Sequence, residues 1–303
     1  MELRQIRHFL SIIRTGSFSR AAAEHGLTQQ ALSKSVQKLE EDLGVRLFDR
    51  DTRMVQPTLF GELLLRYAAN VDGELKGFHQ ALDGLLGRGT DRLHVGAGPA
   101  GAGDIVGRAV LETVKRRPRL RCVVKSGRFD TLVPELLRGE LDLLVTLMTE
   151  EAIDPLLAHE VITEESYGVV ASARHPLARA RRVKLADLAR QPWLAGLNLG
   201  AVLSRIEADF TAAGVPMPPP TVQTDSAYFV RLALAETDML AVLPLGTVKW
   251  EVEAGLLAVI DVAEAGGWTR PLAVFWRAQS TRSADALALI AQLRGLAGKR
   301  APG

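Results

Sequence analysis

Apolar positions recur at helical intervals over the first third of the chain and change to short, strand-like runs beyond it. In the first helix the apolar positions are Ile6, Phe9, Leu10 and Ile13. Two further helices are predicted over 17–43, on either side of Gly26, which readily adopts the positive φ of a tight turn. Two helices joined by a turn that contains glycine make a helix-turn-helix motif. The N-terminal residues therefore predict a small helical domain.

The second helix of this pair has an apolar and a polar face. Ser17 and Thr28 can cap the two helices, because a hydroxyl accepts a hydrogen bond from a backbone N–H of the first turn. The apolar face consists of Leu32, Val36, Leu39 and Leu43, and the polar face of Gln30, Ser33, Lys34 and Gln37. Amide, hydroxyl and ammonium groups at the start of a helix read base edges and bind phosphates. The pattern favours a DNA-binding face; the alternative is an amphipathic hairpin that binds nothing.

The segment after Gly44 alternates between apolar and polar residues, which predicts a two-stranded wing that ends at Pro57. Arg50 and Arg53 lie near the polar tip of this wing. Arginines of a wing contact backbone phosphates or enter the minor groove of DNA. The alternative for either residue is a solvated charge on a hairpin turn.

A long helix without proline is predicted over 59–86, roughly 42 Å long at 1.5 Å per residue. Its apolar residues form a stripe with spacings of four and three and one additional four, at Phe60, Leu64, Tyr67, Val71, Leu75, Phe78, Leu82 and Leu85. This is the pattern of a coiled-coil seam with a stutter. A lone helix cannot bury such a stripe, so we expect a second copy of the chain to cover it. The alternative is a stripe that packs on its own chain.

Beyond Gly87, short apolar runs alternate with helical segments. The predicted strands are 93–96, 120–125, 141–146, 167–171, 221–224, 239–243 and 272–277. The predicted helices are 105–116, 131–138, 203–213 and 228–236. This alternation predicts a mostly parallel sheet with helices on both faces. The length of the segment favours two α/β subdomains over a single one.

Composition excludes several classes of protein. The apolar fraction of 47% and the charged fraction of 24% are typical of a globular protein, and the net charge of +2 requires any basic patch to be local. Cys122 is the single cysteine, so no intrachain disulfide is expected, and no apolar run is long enough to span a membrane. The histidines lack metal-ligand spacing and no G-x-S-x-G motif occurs, so an enzyme is not expected. The acidic runs 40–42 and 164–165 are expected to be solvated.

Ligands of α/β sheets bind beyond the carboxyl ends of the strands, so the loops there are the candidate site. After the first strand, Gly96, Gly98 and Gly101 match the G-x-G-x-x-G fingerprint of dinucleotide-binding folds. An NAD(P)-dependent oxidoreductase is therefore an alternative, although Lys125 and Ser126 stand where an acidic residue would bind the ribose. We favour a loop whose backbone N–H groups hold a carboxylate or a hydroxyl of a small molecule.

The motifs of the first sixty residues are specific. They comprise Phe9, Gly16-Ser17-Phe18, Ala21-Ala22, Thr28-Gln29-Gln30-Ala31-Leu32-Ser33, Leu39-Glu40, Leu43-Gly44, Leu47-Phe48 and Arg50. In this order and spacing they resemble the DNA-binding module of LysR-type transcriptional regulators. One residue departs from the family pattern, because Gln30 stands where the family usually has proline. An amide thereby replaces an apolar contact to a base.

The resemblance implies three parts: an α-helical winged helix-turn-helix domain over 1–57, a long dimerisation helix over 58–88, and an α/β effector-binding domain over 89–303. The last part is similar to periplasmic binding proteins and has two lobes. Lobe I is expected at about 90–163 and 268–303, lobe II at about 164–267, and the two crossovers between them near 161–165 and 266–270.

The resemblance also implies the site residues and the partners. DNA is expected to contact Ser17, Thr28, Gln29, Gln30, Ser33, Lys34, Lys38, Arg50 and Arg53. The effector is expected to contact Gly98, Pro99, Ala100, Ser126, Arg128 and Thr146 in lobe I, and Leu197, Asn198, Thr224 and Ser226 in lobe II. The expected partners are an operator in double-stranded DNA, a small-molecule effector, further copies of the chain in a dimer and a homotetramer, and RNA polymerase. No cofactor and no membrane are expected, and the expected location is the bacterial cytoplasm.

Overall fold

The computed structural model describes residues 1–49, 55–86, 92–98, 102–148, 153–196, 200–264 and 267–298. The N-terminal part contains the helices α1 (Leu3–Thr15), α2 (Phe18–Glu24), α3 (Gln29–Leu43) and α4 (Leu59–Leu85) and the short strands β1 (Phe48–Asp49) and β2 (Gln56–Pro57). β1 and β2 pair antiparallel. The predicted helix pair, the strands of the wing and the long helix are therefore confirmed.

The small domain folds around one apolar core. Phe9 of α1, Leu32 and Leu39 of α3 and Phe48 of β1 are fully buried in it. Ala21 and Ala22 of α2 are also buried, and their small size lets the neighbouring helices approach closely. The prediction that Leu43 shares the apolar face was wrong. That side chain is exposed, because it forms the last turn of α3, beyond the reach of α1 and α2.

The C-terminal part contains a single mixed sheet. Its strands are β3 (Arg92–Ala97), β4 (Arg121–Ser126), β5 (Leu143–Leu147), β6 (Leu157–Ser172), β7 (Trp193–Gly196), β8 (Val222–Thr224), β9 (Leu240–Pro244), β10 (Leu257–Val259) and β11 (Thr269–Arg277). The order across the sheet is β4-β3-β5-β11-β6-β9-β7-β8, and β10 also pairs with β6.

Seven helices accompany this sheet in the described part of the chain: α5 (Ala102–Arg116), α6 (Phe129–Leu137), α7 (Leu185–Leu188), α8 (Ala201–Ala212), α9 (Ala227–Glu236), α10 (Lys249–Glu253) and α11 (Ala284–Gly298). In the first lobe, α5 and α11 cover one face of the sheet and α6 covers the other. In the second lobe, α8 and α9 cover opposite faces. Each lobe is thus a three-layer α/β unit. None of the helices in the described ranges is both long and apolar enough to cross a bilayer.

Two long strands connect the lobes. β6 pairs with β11 from Leu157 to Ser166, and then with β9 of the second lobe from Tyr167 onward. The predicted crossover 161–165 lies within β6, and the predicted crossover 266–270 meets the start of β11, with Ala265 and Gly266 outside the described residues. The connection between the lobes is therefore a continuous pair of strands.

The prediction of a mostly parallel sheet was wrong for the middle of the sheet. β3 pairs parallel with β4 and β5, and β7 pairs parallel with β8 and β9. β11 and β6 are antiparallel to each other and to their other neighbours, because both strands run between the lobes in opposite directions. β7 and β10 were not predicted, and β6 is sixteen residues long where only 167–171 was predicted.

Candidate DNA-binding face and ligand cleft

The N-terminus of α3 is built by side-chain caps, as predicted. The Thr28 hydroxyl accepts a hydrogen bond of 3.2 Å from the N–H of Ala31, and the Ser17 hydroxyl accepts one of 3.4 Å from the N–H of Arg20 in α2. Caps of this kind fix where a helix begins. They hold Gln29 and Gln30, both exposed, in the first turn of α3.

The polar face of α3 is open on the surface of the domain. Gln30, Lys34 and Lys38 are exposed, whereas Ser33 is half-buried. Ser33 and Gln29 line a groove of about 340 Å³ between α3 and the wing. The structure thus brings these two predicted DNA contacts onto one surface. The predicted contacts Arg50 and Arg53 lie outside the described residues.

Glu40 was expected to be solvated, and this was wrong. Its side chain is buried, and its Oε1 atom accepts hydrogen bonds from the N–H groups of Leu47, at 2.7 Å, and Phe48, at 3.3 Å. The carboxylate therefore ties the end of α3 to the first strand of the wing. A signal was present in the sequence, because Glu40 lies one helical turn after the buried Val36.

His8 is a second polar residue whose role the sequence did not indicate. Its ring is buried, shares a hydrogen bond of 2.8 Å between Nδ1 and the Ser35 Oγ, and stacks edge-on with His25. Burial, with the nearby His25 and Arg4, lowers the pKa of His8. The neutral imidazole therefore joins α1 to α3 behind the polar face.

Most of the apolar stripe on α4 is solvent-exposed in the single chain. Its exposed members are Phe60, Tyr67, Val71, Phe78 and Leu82, with exposed fractions between 39 and 61%. Leu64 and Leu75 are half-buried, and Leu64 packs on the core of the N-terminal domain. The side chain of Leu85 lies outside the described residues. The buried positions of α4, including Ala68, Ala69 and Gly73, lie on a different face of the helix.

The predicted ligand loop of lobe I begins with a tight contact. The N–H of Gly98 donates a hydrogen bond of 2.9 Å to the Val145 carbonyl, and a Cβ atom at Gly98 would overlap the Thr146 hydroxyl. The glycine is therefore required by the packing of the loop on β5, which explains part of the G-x-G-x-x-G match without a dinucleotide. Gly98 and Thr146 are adjacent and buried. Pro99, Ala100 and Gly101 lie outside the described residues.

Ser126 and Arg128 follow β4, and both are exposed. The Arg128 guanidinium forms an ion pair with Asp130, with a distance of 3.1 Å between Nη2 and Oδ2. The hydrogen bond to Asp130 raises the pKa of Arg128, and the charge of Asp225 in lobe II raises it further. Arg128 therefore faces the second lobe, as a residue of the cleft would.

The predicted positions of lobe II shape their own loop. The Thr224 hydroxyl accepts a hydrogen bond of 3.0 Å from the N–H of Ser226, and the Ser226 hydroxyl caps α9 by accepting one of 3.2 Å from the N–H of Phe229. These bonds hold both hydroxyls beside the end of β8. Leu197 and Asn198 lie outside the described residues.

Comparison with known proteins identifies both parts of the chain. Residues 3–62 match the bacterial regulatory helix-turn-helix proteins of the lysR family, and residues 87–298 match the LysR substrate-binding domain. The SDS degradation transcriptional activation protein of a Pseudomonas species is 36% identical over 267 residues, which are 86% of this chain and 85% of that protein.

Solved structures share the fold over nearly the whole chain. A full-length variant of OxyR from Pseudomonas aeruginosa superposes with a TM-score of 0.70 at 22% identity, over 97% of this chain and 95% of that one. Full-length CbnR in complex with its target DNA superposes with a TM-score of 0.55 at 18% identity, over 98% of this chain and all of that one.

The family matches are to transcriptional regulators, and they give no support to the oxidoreductase alternative at the Gly96–Gly101 loop. The predicted fold class is confirmed, with the likeness to periplasmic binding proteins as an analogy. A helix-turn-helix with an open polar face precedes an α/β domain of two lobes, and both parts match the same family. The chain therefore belongs to the LysR family, as a DNA-binding transcriptional regulator with an effector-binding domain.

Proposed function

We propose that two copies of the chain bind an interrupted inverted repeat, with one α3 helix in the major groove of each half-site. Gln29, Gln30, Ser33 and Lys34 contact base edges, and Lys38 contacts the phosphate backbone. The observation that carries this proposal is the exposed polar face at the capped N-terminus of α3. Backbone N–H groups and the helix dipole add to the attraction for phosphate at that end. Ser17 and Thr28 contribute by fixing the helix ends that approach the DNA, and Arg50 and Arg53 by extending the contact from the wing.

The second copy pairs through the stripe on α4. Exposed apolar residues arranged as a continuous line along a helix of 27 residues mark a protein interface. Phe60 and Phe78, at the two ends, are more than half exposed. A two-fold axis across this stripe places the same residues on both sides, and the resulting dimer presents two recognition helices to a palindromic operator.

Dimers pair again through the effector domains to give a tetramer. β4 lies at one edge of the sheet, and its Val123 and Val124 side chains are exposed together with Leu111 of α5. Tyr228 and Leu232 of α9 form an exposed apolar surface near the opposite edge. An open edge strand with apolar side chains invites association unless another chain covers it, which supports a contact between lobe I of one copy and lobe II of the next.

A small molecule bound between the lobes changes the angle between them and thereby the spacing of the DNA-binding domains. This is a shift between two DNA-bound states, and it requires only that the effector bind one state more tightly. The continuous pair β6 and β11 is the mechanical link between the lobes. The regulated process is transcription by RNA polymerase in the bacterial cytoplasm, and no cofactor is needed.

Ser33→Ala is expected to weaken binding to the operator by about 1–3 kcal/mol and to change binding to random DNA little. The reason is that a hydroxyl that reads a base edge contributes only when the correct base is present. Fluorescence anisotropy with labelled operator and with a scrambled duplex of the same length measures both affinities. An equal loss on the two duplexes would remove Ser33 from base readout.

Lys38→Ala serves as the matched variant for a phosphate contact. It is expected to weaken binding to both duplexes alike and to reduce the slope of log affinity against log salt by about one. Lys115→Ala, at an exposed position on α5, is the control for loss of a charge far from the DNA and should leave both affinities unchanged. A loss confined to the operator would contradict the assignment of Lys38 to the backbone.

A further inference from the structure

A buried arginine lies between the lobes at a position that the sequence did not single out. Arg270, the second residue of β11, is buried, and its Nη2 atom donates a hydrogen bond of 2.7 Å to the carbonyl of Met148, which follows β5 of lobe I. Its Nη1 atom is 3.3 Å from the place of a Cβ atom at Gly200, directly before α8 of lobe II. The guanidinium therefore lies where the carboxyl end of β5 meets the N-terminus of α8.

A tyrosine hydroxyl lies in the same place. β6 and β11 are neighbours, and the N–H of Tyr167 donates a hydrogen bond of 2.7 Å to the Trp268 carbonyl, two residues from Arg270. The Tyr167 side chain is 94% buried, and within the described part of the chain its Oη atom has no hydrogen-bond partner. Burial raises the pKa of Tyr167, and the neighbouring charge of Arg270 opposes the rise. A buried polar atom without a partner is rare, and an absent ligand is one of its standard explanations.

The groups around this point favour a negatively charged ligand. Arg270 carries a positive charge, the Tyr167 hydroxyl can donate, and the twelve-residue helix α8 directs its N-terminus toward the same place. The nearest buried carboxylate is Glu165 on β6, and its Oε1 atom accepts a hydrogen bond of 2.7 Å from the N–H of Gly246 in lobe II. That bond holds the carboxylate of Glu165 against the loop after β9.

We propose that the effector carries a carboxylate, and that Arg270 and the Tyr167 hydroxyl bind this carboxylate at the floor of the cleft, below the N-terminus of α8. The proposal rests on the proposed function, in which the cleft binds the effector, and it adds the chemical class and two residues. The planar guanidinium suits a planar carboxylate, because both groups can form two parallel hydrogen bonds. A carboxylate held there touches both lobes at once, so its binding fixes the angle between them.

The first test is a thermal-shift comparison of acids with their neutral amides at pH 7. The probes are benzoate, hexanoate and succinate, each beside benzamide, hexanamide or succinamide, added to the purified full chain. At least one acid is expected to raise the unfolding temperature, and its amide is not, since a ligand that binds only the folded state stabilises it. Equal shifts for acid and amide, or no shift with any of the three acids, would overturn the proposal.

The second test uses Tyr167→Phe, which removes only the buried hydroxyl and should leave the fold intact. The Kd of the stabilising acid, from isothermal titration calorimetry, is expected to rise about tenfold or more, as for loss of a hydrogen bond to a charged group. Tyr228→Phe, at an exposed tyrosine of the same lobe, is the control and should leave this Kd unchanged. An unchanged Kd in Tyr167→Phe would remove the hydroxyl from the site.

The two tests are independent of DNA binding. Operator affinity is measured on the same preparations without any acid. Failure to bind DNA with an intact preference for the acid contradicts the DNA-binding proposal alone. Operator binding with no preference for the acid over its amide contradicts the carboxylate proposal alone.

Discussion

Val71→Glu is expected to convert the dimer into monomers and to lower operator affinity by roughly a hundredfold or more. Val71 lies at the middle of the exposed stripe on α4, so a two-fold interface receives two carboxylates in its apolar centre. A charge buried without a partner costs several kcal/mol, of which about 2.7 kcal/mol already corresponds to a hundredfold. A monomer also loses the gain from binding two linked half-sites at once.

Sedimentation equilibrium measures the dimer, and anisotropy with the operator measures the affinity. Leu287→Glu is the matched control, because Leu287 on α11 is exposed to 48%, close to the 45% of Val71, and lies off the stripe. That variant should remain dimeric with normal affinity. A Val71→Glu protein that sediments as a dimer and binds the operator normally would show that α4 is not the dimer interface.

Gly61→Ala is expected to destabilise the DNA-binding domain by more than about 3 kcal/mol. α4 approaches the wing so closely that a Cβ atom at Gly61 would overlap the carbonyl oxygen of Leu47. The obstacle is backbone, so no side-chain rotation relieves it, and the cost is at or above the usual range of about 1–3 kcal/mol for overpacking. Leu47 and the next residue are the two that Glu40 holds by their N–H groups, so the end of α3 shifts with them.

Urea unfolding followed by circular dichroism measures this effect. Gly77→Ala on the same helix is the control, because no described atom lies within 4 Å of the added Cβ. It should stabilise the chain by about 0.5–1 kcal/mol through higher helix propensity. A Gly61→Ala protein as stable as Gly77→Ala would show that the approach of α4 to the wing is looser than described.

The N-terminal domain could be predicted closely because its signals are local. Capping hydroxyls at Ser17 and Thr28, the small pair Ala21 and Ala22, and helical periodicity each act within a few residues. The errors there have non-local causes. Glu40 is buried because its partners are backbone N–H groups beyond the helix, and Leu43 is exposed because no other element reaches the last turn of α3.

The effector domain was predicted in outline, and its centre was not. The first half of β6 contains His159, Glu160 and Glu164, which conceal the strand pattern, and its strand character comes from pairing with β11. Tyr167 and Arg270 are more than a hundred residues apart in sequence, and neither follows a strand end. Only the antiparallel register of β6 and β11 brings them together, which local patterns do not encode.

Symmetric operator binding is tested most directly by a hydroxyl-radical footprint of the DNA that flanks the chain's own gene, at low ionic strength and with the protein in excess. The expected result is at least two protected patches of matching sequence in opposite orientation, separated by about one helical turn or a multiple of it. Both patches should disappear together with Val71→Glu. A uniformly unprotected duplex, or a single patch with no partner, would contradict a symmetric pair of recognition helices.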